Sequence, residues 1–304
     1  MKLKQLLLAT GVLLAANTSA FAAEKFAVIM GNLPSANQFW ALVEQGALEK
    51  GAELGVEVTA LGSPGGESDI AGQIALVEDQ LTKGITGLAI APADPAALNP
   101  TIERALEQGV KVVYIDRPGG VPDITYVGTD NEPAAALGAQ HICDNIEEGG
   151  DVAILQGVMA IINGQARAKG SHDTLEACGM NIVAEQTAEW DIAKGQTVTE
   201  NIITANPNLK ALFASNDNMA MGAIQALKSA KMLDQVMVVG FDGNPEAAQA
   251  ILDGDMEISV AQRPYNMGAI GVESLLKLIN GETLPPVVDT GAVVVDQENA
   301  EDYL

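Results

Sequence analysis

The feature that most constrains the fold is a steady alternation of two patterns. Short continuous apolar runs are separated by amphipathic helical segments almost from end to end. The runs include "KFAVIM" (25–30), "VEVTAL" (56–61), "GLAIAP" (87–92), "KVVYID" (111–116) and "ITYVGTD" (124–130). A second set follows: "DVAILQG" (151–157), "NIVAEQT" (181–187), "ALFASN" (211–216), "VMVVGFD" (236–242), "EISVAQ" (257–262) and "AVVVD" (292–296). Between them lie helical patterns over 36–54, 69–83, 132–147, 217–231 and 266–280. Strands that are apolar throughout, spaced by helices, belong to parallel sheets covered on both faces. One set of units ends before residue 130 and a similar set begins after 150. Two doubly wound α/β lobes fit this better than one sheet of ten or more strands. No low-complexity linker divides the chain, so short crossings are expected between the lobes rather than a flexible tether.

The first residues stand apart. "MKLKQLLLATGVLLAANTSAFA" has Lys2 and Lys4, an apolar stretch from Leu6 to Ala16, and small residues at Ala20 and Ala22. That order describes a secretory signal peptide cleaved near Ala22–Ala23, with the protein exported to the periplasm. The apolar stretch is shorter than the roughly 20 residues a membrane span needs. No cysteine stands at the cleavage point, which disfavours a lipid-anchored form. The formal charge of −24 becomes −26 once Lys2 and Lys4 are removed, and so acidic a surface argues against nucleic acid as a partner. Two cysteines, Cys143 and Cys178, remain in a compartment where they could pair. Two small buried thiols are an equal reading, because spacing alone does not set the Cα separation.

In open parallel sheets, ligands bind beyond the carboxyl ends of the strands. The strand tips here are polar. "KVVYID" ends in Asp116 with Arg117 next, "ALFASN" in Asn216 followed by Asp217, "VMVVGFD" in Asp242, and "EISVAQ" in Gln262 followed by Arg263. A single such tip would be an ordinary turn or cap, and Asp217 before "NMAMGAIQAL" is read as a helix cap. Four together indicate a site. The two tryptophans lie near the same edge: Trp40, after Phe39, opens the first helix, and Trp190 lies in "AEWD". Flat aromatic faces suit the C–H faces of sugar rings, and planar bidentate groups suit the hydroxyl rims. Phe39 and Trp40 also fit a simple packing pair at a helix start, and Met219 and Met221 read as core.

Together, "FWALVEQGA", "IDRP", "VGTDN", "GQARAKG", "AEWD", "FASNDNMAMGA", "VVGFDGNPEA" and "VAQRPYNMGAIGVE" resemble, in order, the ribose-binding-protein type of periplasmic sugar-binding protein. The likeness is strongest to ribose and allose binders and runs from Phe26 to Val295. It implies the periplasmic binding protein type I fold: two doubly wound lobes joined by three hinge crossings. These would fall near Thr129–Asp130, Gln262–Arg263 and Asp289–Gly291. The N-terminal lobe would hold 23–129 plus 263–290, and the C-terminal lobe 130–262 plus 291–304. The resemblance places Phe39, Trp40 and Trp190 around a sugar ring. Asp116, Arg117, Arg167, Asn216, Asp242 and Gln262, with Asn37 as a further candidate, would bond the hydroxyls and ring oxygen. Arg167, on "INGQARAKGSHDTLEA", is placed by the resemblance alone, since helical arginines are usually solvated. The loop "GNLPSANQFW" is longer than its ribose-binder counterpart and lacks the Pro before the aromatic pair, while Trp40 and Trp190 stand where a ribose binder has phenylalanines.

The function implied is the solute-binding component of an ABC importer, taking a monosaccharide or polyol and handing it to a membrane permease. The protein would work as a monomer, without cofactor or metal. A sensory role before a chemoreceptor shares this fold. A sugar-active enzyme using Asp116 and Asp242 is the competing class. Against it, no nucleophile elbow appears, His141 and His172 form no triad spacing, and "GNLPSA" is not a dinucleotide-binding glycine motif. Lactose-repressor-type regulators are set aside by the export signal and the missing helix-turn-helix.

Overall fold

A computed structural model describes residues 24–304; the signal-peptide reading of residues 1–22 falls outside the described residues. The chain opens with β1 (Lys25–Met30), α1 (Gln38–Leu54), β2 (Glu57–Gly62), α2 (Ile70–Thr82), β3 (Gly87–Ile90), α3 (Pro95–Glu107), β4 (Lys111–Ile115) and β5 (Tyr126–Gly128). It continues through α4 (Asn131–Asn145), β6 (Asp151–Gln156), α5 (Ile162–Ala177), β7 (Asn181–Thr187), α6 (Ile192–Ala205) and β8 (Ala211–Ala214). Then come α7 (Asp217–Ala230), β9 (Met237–Asp242), α8 (Pro245–Leu252), β10 (Ile258–Ala261), α9 (Pro264–Ile279), β11 (Val287–Asp289) and β12 (Val293–Val295).

These strands form two six-stranded sheets, ordered β11-β5-β4-β3-β1-β2 and β12-β10-β9-β8-β6-β7. The chain passes between the sheets three times: after β5, after β10 and after β11. All pairings are parallel except β10 with β12. That departs from the all-parallel expectation. The last crossing carries no helix, so nothing returns β12 to the starting edge of its sheet. Strand β11 was not read from sequence: three residues after two prolines give no periodicity, and it exists because it pairs with β5.

The continuous apolar strands are explained by burial on both faces. In the first sheet Val28, Met30, Val113 and Ile115 enter one core, while Ala27, Ile29, Val112 and Tyr114 enter the other. In the second sheet Ile154, Phe213 and Val239 face one side and Leu155, Leu212 and Val238 the opposite side. Each fully buried aliphatic or aromatic side chain contributes about 1.5–3 kcal/mol, so these strands are the rigid base from which the tips project. Met219 lies in the core and Met221 packs against it.

Cys143 at the end of α4 and Cys178 just past α5 form a disulfide, with Cα atoms 6.0 Å apart. This settles the pairing that sequence left open. The cap of α7 is a correction: Asn216, not Asp217, accepts the Met219 amide at 2.9 Å. Asp217 is instead fully buried. It accepts Ser259 Oγ at 2.7 Å and the Asn244 amide at 2.8 Å, fastening α7 to the loop after β9. Where two adjacent residues can both cap, the residue with extended backbone, here Asn216 at ψ 164°, takes the role.

Candidate functional site

The carboxyl ends of both sheets meet in one partly open cleft, with about 350 Å3 of space between its side chains when the open solvent at its mouth is counted. All ten residues named from sequence line it: Asn37, Phe39, Trp40, Asp116, Arg117, Arg167, Trp190, Asn216, Asp242 and Gln262. Glu67 and Asn163, which sequence reasoning missed, line it as well.

The C-terminal half is tightly tied. Arg167, read as solvated by helical pattern, is only 4% exposed. Its Nε donates to Asn131 Oδ1 at 2.7 Å, and Nη1 donates to Asp242 Oδ1 at 3.0 Å and to the Ser215 carbonyl at 2.9 Å. The guanidinium lies 4.0 Å from the Phe241 ring centre and 5.3 Å from that of Trp190, a geometry in which a desolvated cation gains from both rings. Gln262 Nε2 donates to Asp242 Oδ1 at 2.7 Å. Burial raises the Asp242 carboxyl above its ordinary range, with Arg167 opposing. Burial raises Asp217 to about 8, and the Asp242 charge adds to the effect.

The N-terminal half is assembled differently. Arg117 follows the strand tip, and its Nη2 pairs with Glu67 on the loop before α2. The other oxygen of Glu67 accepts Trp40 Nε1, so one loop carboxylate holds two site residues from separate elements. Trp40 meets Phe39 edge-on, with ring centres 5.0 Å apart, and Arg117 lies 5.7 Å from the tryptophan centre. The aromatic pair is thus both packed and cleft-lining. Asn37 caps α1 by accepting the Phe39 amide at 2.9 Å.

Asp116 sits just past β4 with φ 63°. A non-glycine residue held there costs on the order of 1–3 kcal/mol and persists only when its surroundings fix it. They do: its amide donates to Val127 O at 3.0 Å, and its carbonyl accepts the Tyr126 hydroxyl at 2.8 Å. Across the cleft, Asn163 Nδ2 on α5 lies 3.1 Å from Asp116 Oδ1. Burial pushes the Asp116 carboxyl up to about 6 against the opposing effect of Arg117. Asp242 (φ 116°), Glu189 (φ 53°) and Trp190 (φ 63°) share this backbone strain. Of the six non-glycine residues with positive φ among the described residues, Asp116, Trp190 and Asp242 line the cleft, and Asp123, Glu189 and Lys231 do not.

Glycine makes room twice. A Cβ on Gly31 would collide with Arg117, Glu67 and Trp40, and one on Gly157 would enter the Trp190 ring. Arg117 Nε and Gln262 Oε1 are buried without a partner in the protein. Buried polar atoms are nearly always bonded, so a donor and an acceptor, one from each lobe, are free to bind a guest. Asn163 had a readable signal, since it lies four residues before Arg167 on one helix face. Glu67 had none beyond its glycine-rich loop.

Two lobes, three crossings and a cleft lined by charged and aromatic side chains from both define a receptor that encloses a small polar solute. The comparisons agree. Residues 26–283 match the periplasmic binding protein domain. The D-allose-binding periplasmic protein of Escherichia coli K12 is 37% identical over 271 residues, covering 86% of each chain. The ribose import binding protein RbsB of the same organism is 33% identical over 282 residues, covering 92% of this chain and 93% of the relative. A solute-binding protein of an ABC transporter from Actinobacillus succinogenes, solved with bound D-allose, superposes with TM-score 0.87 at 31% identity over 92% of this chain and all of that one. This chain belongs to the periplasmic binding protein family, with the type I fold.

Proposed function

We propose that this protein is the periplasmic solute-binding component of an ABC importer. It takes a monosaccharide, a ribose- or allose-like pentose or hexose or a related polyol, between its lobes. It acts as a monomer, and the membrane permease reads its closed shape. The observation that carries this is the convergence of Asp116 and Arg117 from one sheet with Arg167, Asp242 and Gln262 from the other, between Trp40 and Trp190. Adjacent hydroxyls are read by a carboxylate that accepts and a guanidinium that donates, while the rings cover the sugar faces. The moving bodies are residues 23–129 plus 263–290 and 130–262 plus 291–304. Their hinges are the three crossings near Thr129–Asp130, Gln262–Arg263 and Asp289–Gly291, a reading supported by Thr129 Oγ1 standing 3.3 Å from Thr290 Oγ1. The ligand stabilises the closed form because it alone bridges both halves. Asp116 and Asp242 are each committed to recognition partners, which disfavours the acid/base role of an enzyme.

A thermal-shift screen over monosaccharides and polyols tests the reading. A ligand at 100 times its Kd adds about 2.7 kcal/mol of stability. Asp116→Ala and Arg117→Ala abolish the shift given by the best sugar. Normal binding by both variants would show that the site is misplaced.

A further inference from the structure

The charges of the cleft do not balance. Three carboxylates, Glu67, Asp116 and Asp242, face two guanidiniums, Arg117 and Arg167, and no lysine or histidine lines the cavity. Arg167 and Asp242 hold each other at 3.0 Å. Arg117 is contested: Nη2 pairs with Glu67, leaving Nε 3.5 Å from Asp116, beyond hydrogen-bonding range. The close side-chain donor to Asp116 is then Asn163, a neutral amide. Glu67 brings the excess: it takes Arg117 and leaves Asp116 without a cation in hydrogen-bonding range. It is built in rather than accidental, because it also accepts Trp40 Nε1 and occupies space that Gly31 leaves open.

The surroundings supply no compensating cation. Asp217, behind Asp242, has its carboxyl raised by burial to about 8 and adds no positive charge. The outer groove beyond Glu67 and Trp190 is lined by Glu189 and Asp191, and Lys194 beside it is already tied to Glu189. Among the described residues no group of three or more His, Cys, Asp or Glu could hold a metal ion.

We infer that this cleft prefers a ligand that brings one positive charge: a protonated amine on the sugar or polyol scaffold, seated against Asp116 and Glu67. The inference rests on the sugar-binding reading and adds the amine. A buried excess charge is expensive, and a cation placed beside it removes that cost. An ammonium has three donors, enough to satisfy both carboxylates. A purely hydroxylated guest leaves the balance to a proton on Asp116, whose carboxyl is faced by Arg117, Glu67, Arg167 and Asp242. Anionic sugars such as sugar phosphates are rejected by the same field.

Titration calorimetry at pH 7.5 on matched pairs tests this: D-ribose, D-allose, ribitol and myo-inositol, each against an amino-deoxy counterpart. On the best scaffold the amine binds at least about tenfold tighter than its parent. The ratio shrinks toward pH 5, as Asp116 takes up a proton. Glu67→Gln removes the excess charge and collapses the ratio; should that variant not fold, the pH dependence of the ratio in the wild type serves instead. A parent that binds as tightly as its amine, or tighter with uptake of a proton measured in two buffers, overturns the inference while leaving the sugar-binding reading intact. Silence from every pair overturns both.

Discussion

The two halves of the cleft do the same work with different degrees of support. On the C-terminal side Arg167 spends its donors inside its own lobe, on Asn131, Ser215 and Asp242, and is stacked between two rings. On the N-terminal side Arg117 leans on a loop carboxylate and keeps Nε free, while Asp116 takes a side-chain bond from the opposite lobe. One half is tied within its own lobe, and the other takes a bond from across the cleft. A ligand in the open form should therefore dock first on the C-terminal half, with the N-terminal half closing over it.

The contrast is breakable. Arg167→Ala should cause the largest loss, about 3–5 kcal/mol of stability in denaturant melts together with loss of binding, because its bonds to Asn131, Ser215 and Asp242 and its packing on Phe241 all lie within its own lobe and are lost whether the cleft is open or closed. Arg117→Ala, which also ends binding, should cost the ligand-free protein no more than about 1 kcal/mol, since an open cleft lets water reach Glu67 and Asp116. Equal destabilisation by the two would erase the distinction. The disulfide sharpens it further. It closes a 35-residue separation within the C-terminal lobe, so Cys143→Ser with Cys178→Ser should cost about 3–4 kcal/mol and leave affinity within about twofold.

Smaller effects follow from titration. Asp116 and Asp217 both have carboxyls raised by burial, to about 6 and about 8. A raised acid holds its proton more tightly folded than unfolded. Its stabilisation is present below the unfolded value and lost as pH rises through the folded one. The Asp116 contribution is lost between about pH 4 and pH 6 and that of Asp217 between about pH 4 and pH 8. The melting temperature should therefore fall between pH 6 and pH 8 through Asp217, and Asp217→Asn should flatten that slope; a melting temperature that rises across this window contradicts it. Smallest is Asn163→Ala, which removes a cross-cleft hydrogen bond worth about 1 kcal/mol. It should weaken ligand binding about fivefold and leave the ligand-free melt unchanged.

Much of this was legible in the sequence, for a physical reason. Strand tips are placed by the sheet, so Asp116, Asn216, Asp242 and Gln262 reach the cleft wherever their strands form. Residues delivered by loops or by one face of a helix escape that logic. Glu67 comes from a loop ordered by Asp69, whose carboxylate accepts Ser63 Oγ and the Gly72 amide. Arg167 is buried because tertiary packing overrides the low amphipathicity of α5, and only the family likeness placed it. Asp217 was misread because two adjacent cap-forming residues compete, and local rules do not choose between them.

The most direct test is a crystal structure with the most stabilising sugar of the screen. The ring is expected between Trp40 and Trp190, with its polar groups on Arg117 Nε and Gln262 Oε1 and carboxylates from both lobes around it. A fully occupied ligand elsewhere on the protein, with this cleft empty, would contradict it.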